Sequence, residues 1–572
     1  MKKTVFSIKK LTVLALLTFN FMNFTPSTAL AQVSLEWVKQ LKGANNEVGN
    51  SIAVDASGNV YTIGYFAGTT DFDPGPNTFN LTTAGWDDVF VTKFDASGNF
   101  VWAKQFSGTN DDYGQSIAVD ASGNVYTTGF FMGTVDFDPG TGVSNLISAG
   151  NDDIFVVKLT SSGTLSWAKR IGGTLKDDAY SLKVDGSSNV ILTGTFAGTV
   201  DFDPGTGTSN LVSVGSQDIF ILKLSSSGNY VWAKSIGSMT SDCGWAVTVD
   251  GTGNVFATGS YTGTADFDPG NTTTFNMTAS ANKDIFILKL DASGNFGWAK
   301  SIGGDNDEEG YSIAVDGSNV YTTGYFNGTV NFGTGANLTS QGYDIFVSKL
   351  SSNGTFVWAK KTGGSIADYG KYIAVDTSGN VYTTGYFNGT VDFDPGAGTY
   401  NLISKGGADI FISKLNSSGN FVFARQFGGT SGDQGYFLTV NSSNNLYMTG
   451  FFSNTVDFDP GSSTVNLISG GLYDVFVLKL NVSTGIEIID NSFGIFIFPN
   501  PSDGHIIIKQ NNALYKKYFL SVRNVQGQEL ISEKIICNKT SSLDLTNLAD
   551  GIYFLNITTD KESFIKKIII QH

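Results

Sequence analysis

Residues 320–330 read VYTTGYFNGTV, and residues 381–391 repeat all eleven letters. Similar units occupy most of the chain, and each contains the motif WAK or a close variant. The motif occurs at Trp37, Trp102, Trp167, Trp232, Trp298, Trp358 and, as FAR, at Phe423. Successive copies are 60 to 66 residues apart. Repetition at a nearly fixed period indicates that one structural unit is used seven times.

Each unit contains four segments typical of β-strands. In the first complete unit they read SIAVD at 51–55, NVYTIGYF at 59–66, DVFVTKF at 88–94 and NFVWAKQF at 99–106. The sequence DASGN separates the first pair and again the second pair, which predicts tight turns between antiparallel strands. The third segment is apolar on both faces, so a neighbouring sheet must cover each face. We therefore predict an all-β fold: a seven-bladed β-propeller of four-stranded blades.

The order of the segments also predicts how the ring closes. The chain enters with a WAK-type fourth strand at 35–42 and leaves after a third strand at 474–480. The N-terminal strand can therefore complete the last blade, whereas an open solenoid would need capping repeats. On this interpretation the propeller extends over residues 33–482.

The repeats resemble a bacterial seven-bladed β-propeller repeat family with the signature D-x-x-GN-V-Y-x-x-G. Here the signature reads Asp55-Ala-Ser-Gly58-Asn59-Val60-Tyr61, followed by Gly64. The resemblance extends over about 450 residues. It implies the fold and an exported setting, but it implies no activity.

The N-terminus has the features of an export signal. Lys2, Lys3, Lys9 and Lys10 precede a mostly apolar stretch, and Ala29 and Ala31 form a small-x-small cleavage site. We expect residues 1–31 to be a signal peptide. No later segment is apolar over about 18 residues, so no transmembrane helix is expected.

The C-terminal part differs in composition from the repeats. After a predicted linker at 483–493, residues 494–572 contain five strand-like segments, which predict a small Ig-like β-sandwich. The motifs include Pro499, Asn500, Pro501, Gly504, Gly527 and Gly551. Their order resembles the C-terminal sorting domain of type IX secretion substrates. The resemblance implies recognition by the secretion machinery of a Gram-negative cell, and surface attachment or release of the cargo. An ordinary accessory β-sandwich is the alternative.

The charge and the histidine content exclude several classes of function. Residues 32–490 contain 22 Lys and Arg against 44 Asp and Glu, and this acidic balance disfavours nucleic-acid binding. The two histidines are His505 and His572, so the repeats cannot form a His-based triad or a His-ligated zinc site. Cys243 and Cys537 lie in different parts of the chain, and we expect both to remain unpaired.

Six repeats contain the motif DFDPG, and the fifth reads NFGTG from Asn331. Two carboxylates at i and i+2 could share Ca²⁺, which takes six to eight oxygen ligands. Alternatively, the motif is a structural turn in which Asp caps the backbone and Phe packs inward. The candidate calcium ligands are Asp71, Asp73, Asp136, Asp138, Asp201, Asp203, Asp266, Asp268, Asp392, Asp394, Asp457 and Asp459.

A second set of acids, the crossing acids, precedes the first strand of each unit. These residues are Glu47, Asp112, Asp177, Asp242, Glu308, Asp368 and Asp433. They either cap backbone N–H groups or line the mouth of a central channel. We expect them on the same face as the DFDPG loops, and we expect this face to bind the ligand.

No repeat gathers a nucleophile, a base and an oxyanion donor, so we expect a binding protein rather than an enzyme. The sequence favours a secreted or surface-attached binding or adhesion module for an extracellular glycan or protein. A carbohydrate-active enzyme that uses carboxylates is one alternative, because no histidine is available in the repeats. A structural component of a surface layer is the other.

Overall fold

The computed structural model describes residues 32–270, 273–483, 495–498, 502–510, 518–536, 540–558 and 563–571. The predicted signal peptide, with Ala29 and Ala31, lies outside the described residues, as do Pro499, Asn500 and Pro501. All regular secondary structure in the described part is β-strand, so no helix there is long and apolar enough to cross a membrane.

The repeats fold as four-stranded antiparallel sheets in which strands follow one another in chain order. After the N-terminal strand β1 (Gln32–Gly43), the first sheet contains β2 (Glu47–Val54), β3 (Val60–Asp71), β4 (Asn80–Phe94) and β5 (Phe100–Gly108). The second contains β6 (Asp112–Val119), β7 (Val125–Phe131), β10 (Asp153–Leu159) and β11 (Leu165–Ile171). A short hairpin, β8 (Thr134–Asp136) and β9 (Asn145–Ile147), lies between β7 and β10.

The next four repeats have the same architecture. The third sheet contains β12 (Asp178–Val184), β13 (Val190–Phe196), β16 (Asp218–Leu224) and β17 (Tyr230–Ile236), with the short strands β14 (Thr199–Asp201) and β15 (Asn210–Val212). The fourth contains β18 (Cys243–Val249), β19 (Val255–Asp266), β20 (Asn276–Leu290) and β21 (Phe296–Ile302). The fifth contains β22 (Glu309–Val315), β23 (Asn319–Asn331), β24 (Asn337–Ser351) and β25 (Phe356–Thr362). The sixth contains β26 (Tyr369–Val375), β27 (Val381–Phe387), β30 (Asp409–Leu415) and β31 (Phe421–Phe427), with β28 (Thr390–Asp392) and β29 (Asn401–Ile403).

The last sheet joins the two ends of the repeat region. It contains β32 (Gln434–Val440), β33 (Asn445–Phe452), β36 (Asp474–Ser483) and the N-terminal strand β1, with β34 (Thr455–Asp457) and β35 (Asn466–Ile468) as its short hairpin. Strand β1 pairs antiparallel with β36 from Gln32 opposite Ser483 to Leu41 opposite Val475. The N-terminal strand therefore supplies the fourth strand of the last repeat, as its position in the sequence predicts.

The WAK tryptophans connect neighbouring sheets. Trp102 Nε1 donates a hydrogen bond of 3.3 Å to the Ser161 carbonyl, which lies in the last turn of the next sheet. Trp37 Nε1 on β1 and Lys479 Nζ on β36 both donate to the Ala96 carbonyl of the first sheet, at 3.4 Å and 3.3 Å. The last sheet thus packs against the first. The first strands of the seven sheets also contact one another in cyclic order, including β32 with β2.

The DASGN turns follow from their sequence. Asp55 Oδ1 accepts hydrogen bonds from the N–H groups of Ser57 and Asn59, both at 2.9 Å. Gly58 has a φ of 82°, which favours glycine. Because the side chain bonds its own backbone, each turn is short and fixes the register of two strands.

The C-terminal residues form two further sheets. One contains β37 (Ile495–Phe498), β38 (His505–Gln510) and β41 (Thr540–Asp544), and the other contains β40 (Glu529–Ile536), β39 (Tyr518–Asn524), β42 (Gly551–Thr558) and β43 (Ser563–Ile570). Alternating side chains from both sheets, among them Ile506, Leu520, Leu555 and Ile568, form one buried core. Two antiparallel sheets around a common core fit the expected small β-sandwich.

Candidate functional site

The DFDPG loops lie along the outer wall rather than on the face where we expected them. The hairpin that holds the first loop bends toward the neighbouring sheet, where Asp71 pairs with Lys42 of β1. The loop tip at Asp73 shares a small cavity with Lys39 and Gly98, and Phe79 packs on Phe100 at 5.2 Å between ring centroids. The bend follows a β-bulge between Ala67 and Thr69. The tip of the first loop therefore lies beside the β4–β5 turn, whereas its base adjoins a crossing acid through the 3.0 Å hydrogen bond from the Thr70 hydroxyl to Glu47.

The carboxylates of each DFDPG motif cap the loop that contains them. Asp136 Oδ1 accepts hydrogen bonds from the N–H groups of Asp138 (3.0 Å) and Ser144 (2.8 Å). Asp138 Oδ1 accepts one from the Gly140 N–H at 2.9 Å. The intervening Phe137 is fully buried. The other five loops repeat these bonds from Asp71, Asp73, Asp201, Asp203, Asp266, Asp268, Asp392, Asp394, Asp457 and Asp459.

These hydrogen bonds have the geometry expected if the motif is a structural turn in which Asp caps the backbone. Among the described residues, no group of three or more His, Cys, Asp or Glu side chains is arranged to hold a metal ion. One loop offers two carboxylates, and Ca²⁺ would need further oxygens from the backbone or from water. Calcium binding at these loops therefore stays a prediction.

The crossing acids are buried at the junctions between sheets. Asp177 Oδ2 accepts a hydrogen bond from the Gly173 N–H at 2.7 Å, and Oδ1 accepts one from the Ala197 N–H at 3.0 Å. Asp368 and Asp433 make the same two kinds of bond. Glu47, Asp112, Asp242 and Glu308 are likewise at most 1% exposed. The set has the geometry of the capping alternative, and it does not present its carboxylates to a ligand.

A second buried acid, which the sequence analysis missed, lies in each third strand and is the first residue of that strand in four repeats. These residues are Asp88, Asp153, Asp218, Asp284, Asp344, Asp409 and Asp474. Burial, together with Asp474, raises the pKa of Glu47 to about 8. Burial raises the pKa of Asp112 to about 8, and Asp88 adds to this effect. Glu47 Oε2, Asp474 Oδ1, Asp88 Oδ1 and Asp112 Oδ2 have no hydrogen-bond partner.

A central cavity of about 460 Å³ is a candidate site for a ligand. Side chains from all seven first strands line it, so it lies on the axis of the repeats. Its volume is in the range of small-molecule sites. At the other end of the first strands lies a smaller cavity of about 150 Å³, lined in part by Lys183, Ile313 and Val440.

The same sequence position faces the central cavity in every repeat, and its occupant varies among the repeats. It lies three residues after the crossing acid. Its occupants are Asn50, Gln115, Tyr180, Trp245, Tyr311, Lys371 and Tyr436. The flanking Gly and Ser positions of the same strands vary less, so comparison of the repeats could have identified this column.

Three of these residues form a continuous aromatic wall: Tyr180, Trp245 and Tyr311. The rings of Tyr180 and Trp245 lie 4.8 Å apart between centroids, and those of Trp245 and Tyr311 lie 5.4 Å apart. All three side chains are half-buried, so part of each ring faces the cavity. Trp245 Nε1 has no hydrogen-bond partner in the structure. A ligand with an apolar face and polar edges would match this wall.

Two large side chains close the bottom of the cavity. Tyr372 and Phe437 occupy a position that holds Ser or Ala in the other repeats, and their rings lie 3.6 Å apart between centroids. Lys183 Nζ donates a hydrogen bond of 3.0 Å to the Tyr372 hydroxyl. This plug separates the central cavity from the smaller one.

The acids nearest the central cavity are paired or bonded. Asp178 accepts a hydrogen bond of 2.8 Å from the Tyr180 hydroxyl and lies 3.2 Å from Lys176 Nζ. Glu309 lies 2.6 Å from Lys283 Nζ. No Asp or Glu belongs to the described residues that line the cavity. The lining is therefore aromatic and amide-rich, with Lys371 as its one charged group in the described part.

Three of the predicted sorting-motif residues are described. Gly504 has a φ of 99°, and an added Cβ would press against the backbone of Thr546. Gly527 has a φ of 80° in the turn between β39 and β40, and Gly551 begins β42. The first two positions therefore require glycine for the backbone path of the C-terminal sheets.

Comparisons with known proteins match two parts of the chain to families. Residues 36–73 and 101–129 match a family described as a beta-propeller repeat, and residues 496–571 match the secretion system C-terminal sorting domain. Among curated proteins, a WD repeat-containing protein of Acanthamoeba polyphaga mimivirus is 26% identical over 432 residues. The regulatory protein FlaEY of Caulobacter vibrioides is 24% identical over 472 residues.

These alignments cover 62% and 77% of this chain, but only 31% and 46% of those proteins. Among solved structures, the extracellular domain of a putative one-component system from B. thetaiotaomicron aligns with a TM-score of 0.16 and 11% identity. It covers 93% of this chain and 98% of that chain. A DUF4221 protein of Bacteroides vulgatus aligns with a TM-score of 0.28 and 9% identity, over 80% of this chain and 100% of that chain. At these TM-scores neither structure bears on the function of this chain.

The C-terminal match agrees with the resemblance noted in the sequence, and the repeat match does the same for the strands around β1 to β7. A sorting tail of this kind directs a protein to the type IX secretion machinery. The chain therefore carries beta-propeller repeats and a type IX secretion sorting domain, and it is secreted or attached to the outer surface of the cell.

Proposed function

We propose that residues 33–482 form a closed seven-bladed β-propeller that binds an extracellular glycan in its central cavity. Residues 494–572 act as the sorting domain that brings this binding module to the cell surface, where glycan binding would serve adhesion or capture. Closure is supported by the pairing of β1 with β36 and by the cyclic contacts of the first strands.

The observation that carries the glycan proposal is the wall of Tyr180, Trp245 and Tyr311. The C–H face of a pyranose ring carries partial positive charge, and an aromatic face carries partial negative charge, so the two attract. The amide of Gln115, which also lines the cavity, supplies polar groups for hydroxyls at the ring edge. A cavity with apolar walls and a few polar groups is typical of sites for small ligands.

The two alternatives fit this cavity less well. A glycosidase needs two carboxyl groups flanking the scissile bond, and the described lining of the central cavity contains neither Asp nor Glu. A purely structural surface-layer protein would not need an aromatic wall along a cavity on the axis of the repeats. Binding without catalysis is therefore the function that we propose.

A glycan array probed with the exported chain tests the proposal, followed by calorimetry on the tightest-binding glycan. Trp245→Ala should weaken binding at least tenfold, because the contact between a ligand ring and the indole contributes about 1.5 kcal/mol or more. Trp86→Ala is the matched control, since Trp86 is 77% exposed on an outer hairpin.

The control variant should bind like the unmodified chain. Glycan binding that survives Trp245→Ala unchanged would place the site elsewhere. An array without any bound glycan would favour a protein ligand or the structural alternative.

A further inference from the structure

Lys371 is the single cation in the variable column of the central cavity. The six equivalent residues are Asn50, Gln115, Tyr180, Trp245, Tyr311 and Tyr436. Lys371 Nζ lies 3.8 Å above the ring of Tyr311, close to the aromatic wall. The rings of Tyr369 and Tyr386 lie further away, with centroids 5.5 Å and 5.7 Å from the same nitrogen. The ammonium is thus held among ring faces beside the surface proposed to bind the sugar.

Within the described residues, Lys371 has neither an ion pair nor a hydrogen bond to its ammonium group. The nearby lysines differ in this respect. Lys283 pairs with Glu309 at 2.6 Å, and Lys176 pairs with Asp178 at 3.2 Å. Lys183 donates to the Tyr372 hydroxyl. The carboxylates around the cavity are therefore already engaged, and Lys371 forms no ion pair with them.

An unpaired ammonium in such a place is costly, because it has lost water without gaining an anion. Burial lowers the pKa of Lys371 to about 8, and Glu309 opposes this shift. The group therefore still carries most of its charge at neutral pH. The ring faces compensate only in part, since a cation–π contact contributes less than a charged hydrogen bond.

We propose that the central cavity selects sugars that carry a negative charge, with Lys371 pairing with the anionic group while Trp245 and Tyr180 hold the sugar ring. This inference rests on the proposed glycan binding and names the class of glycan. The anion is a carboxylate of the uronic acid type or a sulfate ester. A single charged sugar fits better than a highly charged polymer, because the chain has a net charge of −16 and repels polyanions at longer range.

Calorimetry with matched sugar pairs tests the proposal on the exported chain. The probes are methyl glucoside, galactoside and mannoside, each with its C6-carboxylate counterpart and its 6-sulfate. We expect at least one anionic probe to bind about tenfold more tightly than its neutral partner, which is the ratio for one charge-assisted hydrogen bond. Lys371→Met should reduce that ratio to about one.

Lys405→Met is the control, because Lys405 is an exposed lysine outside the cavity. The preference within a pair is measured on the unmodified chain, so it is interpretable even if Lys371→Met does not fold. Carboxylate and sulfate probes distinguish the two anion classes. Equal binding of neutral and anionic partners, or a preference that survives Lys371→Met, would overturn the charge selectivity and leave glycan binding intact. Absence of binding by every probe would overturn both.

Discussion

Trp245 and Lys371 occupy the position at which the lining of the central cavity departs from the symmetry of the repeats. Most positions of the first strands are constrained by packing between neighbouring sheets, so they hold Gly, Ser and aliphatic residues. The axial position faces a cavity and is free of that constraint. It holds an amide in two repeats, an aromatic ring in four and a lysine in one. The symmetry of the ring is therefore broken where a ligand would lie.

Gly129 is one of seven equivalent glycines at which the neighbouring backbone leaves no room for a side chain. An added Cβ there would overlap the Tyr113 carbonyl oxygen of the adjacent first strand, and the equivalent atom is just as close at Gly64, Gly194, Gly259, Gly324, Gly385 and Gly450. We expect Gly129→Ala to lower the free energy of unfolding by about 3 kcal/mol, because backbone cannot move aside without repacking the sheet. Urea denaturation measures the change.

Gly251→Ala is the matched control for this prediction. No atom lies within 4 Å of an added Cβ at Gly251, and the equivalent turn position in other repeats is Ala56 or Ala121. Its free energy of unfolding should change by less than about 0.5 kcal/mol. A Gly129→Ala protein as stable as the Gly251→Ala protein would contradict this account of the signature glycine.

At the residue scale, the sequence predicted turns better than it predicted the site. Asp55 and Gly58 act in the turn as their residue types predict, because the interaction is local. The axial cavity was missed because seven residues that are far apart in sequence meet only when the ring is formed. Comparison of the repeats marks the column of Tyr180, Trp245 and Lys371 as variable, but it does not show that this column faces a cavity.

At the scale of elements, the DFDPG hairpins illustrate the difference between a capping role and a metal role. If Asp136 caps the loop, Asp136→Asn should be well tolerated, because the amide oxygen can still accept both N–H groups. Asp136→Ala should lower the free energy of unfolding by about 1 kcal/mol, since two backbone donors lose their acceptor. Thermal and urea unfolding measure both variants, and equal losses would argue against capping.

The calcium prediction makes a different demand on the same loops. Ca²⁺ would bind the ionised carboxylates of the folded loops and stabilise the folded state, so the melting temperature should rise with millimolar Ca²⁺. Asp136→Asn with Asp138→Asn should then reduce this rise by about one-sixth, because one of six loops is altered. A melting temperature independent of Ca²⁺ and of chelator would leave the loops as structural turns.

Strand β1 is the element on which closure depends. Removal of residues 32–43 would expose the edge of β36 and remove the Trp37 contact with the first sheet. We expect the melting temperature of the whole repeat region to fall by about 10 °C or more, because the loss of one strand destabilises every sheet of a domain that unfolds cooperatively. Removal of residues 563–571, the last strand of the C-terminal sheets, is the control and should leave that transition unchanged.

Strand order and pairing partner could be predicted from the sequence because the repeat phase leaves one solution for β1. The path of the DFDPG hairpins could not. A β-bulge after Ala67 precedes the part of the hairpin that pairs with the neighbouring sheet, and no residue type in the motif signals it. The sequence therefore did not predict that the tip of the first loop lies beside Lys39 and Gly98.

At the scale of the whole molecule, buried acids make stability depend on pH. Burial raises the pKa of Glu47 and Asp112 to about 8, and that of Asp177, Glu308 and Asp433 to about 7. The folded state therefore holds protons that the unfolded chain has released above about pH 4 to 5. Their contribution to stability is full below that range and is lost as the pH rises to about 8.

The acids of the DASGN-type turns act in the opposite direction. Burial would raise the pKa of Asp120 and Asp250, but hydrogen bonds from the turn outweigh it and lower the pKa of both. The contribution of these two acids to stability is therefore lost as the pH falls below about 4. We expect the melting temperature to be highest between about pH 4 and 6 and to fall steadily toward pH 9. Melting curves at constant ionic strength measure this profile.

Asp112→Asn provides the internal comparison. Asp112 Oδ2 and Asp88 Oδ1 both lack a hydrogen-bond partner. The amide of an asparagine at position 112 can donate a hydrogen bond at any pH, whereas the carboxyl group can donate only while it is protonated. The melting temperature of this variant should fall less steeply between pH 6 and 9 than that of the unmodified chain. A melting temperature that rises over this interval, or a variant with an unchanged slope, would show that these acids are ionised in the folded state.

The most direct measurement of the central claim is a crystal structure of the exported chain with the glycan that binds most tightly on the array. We predict electron density for a sugar ring in the central cavity, packed on Trp245 and Tyr180, with an anionic group beside Lys371. A sugar bound on the outer wall or at the DFDPG loops, with the central cavity free of it, would contradict the account.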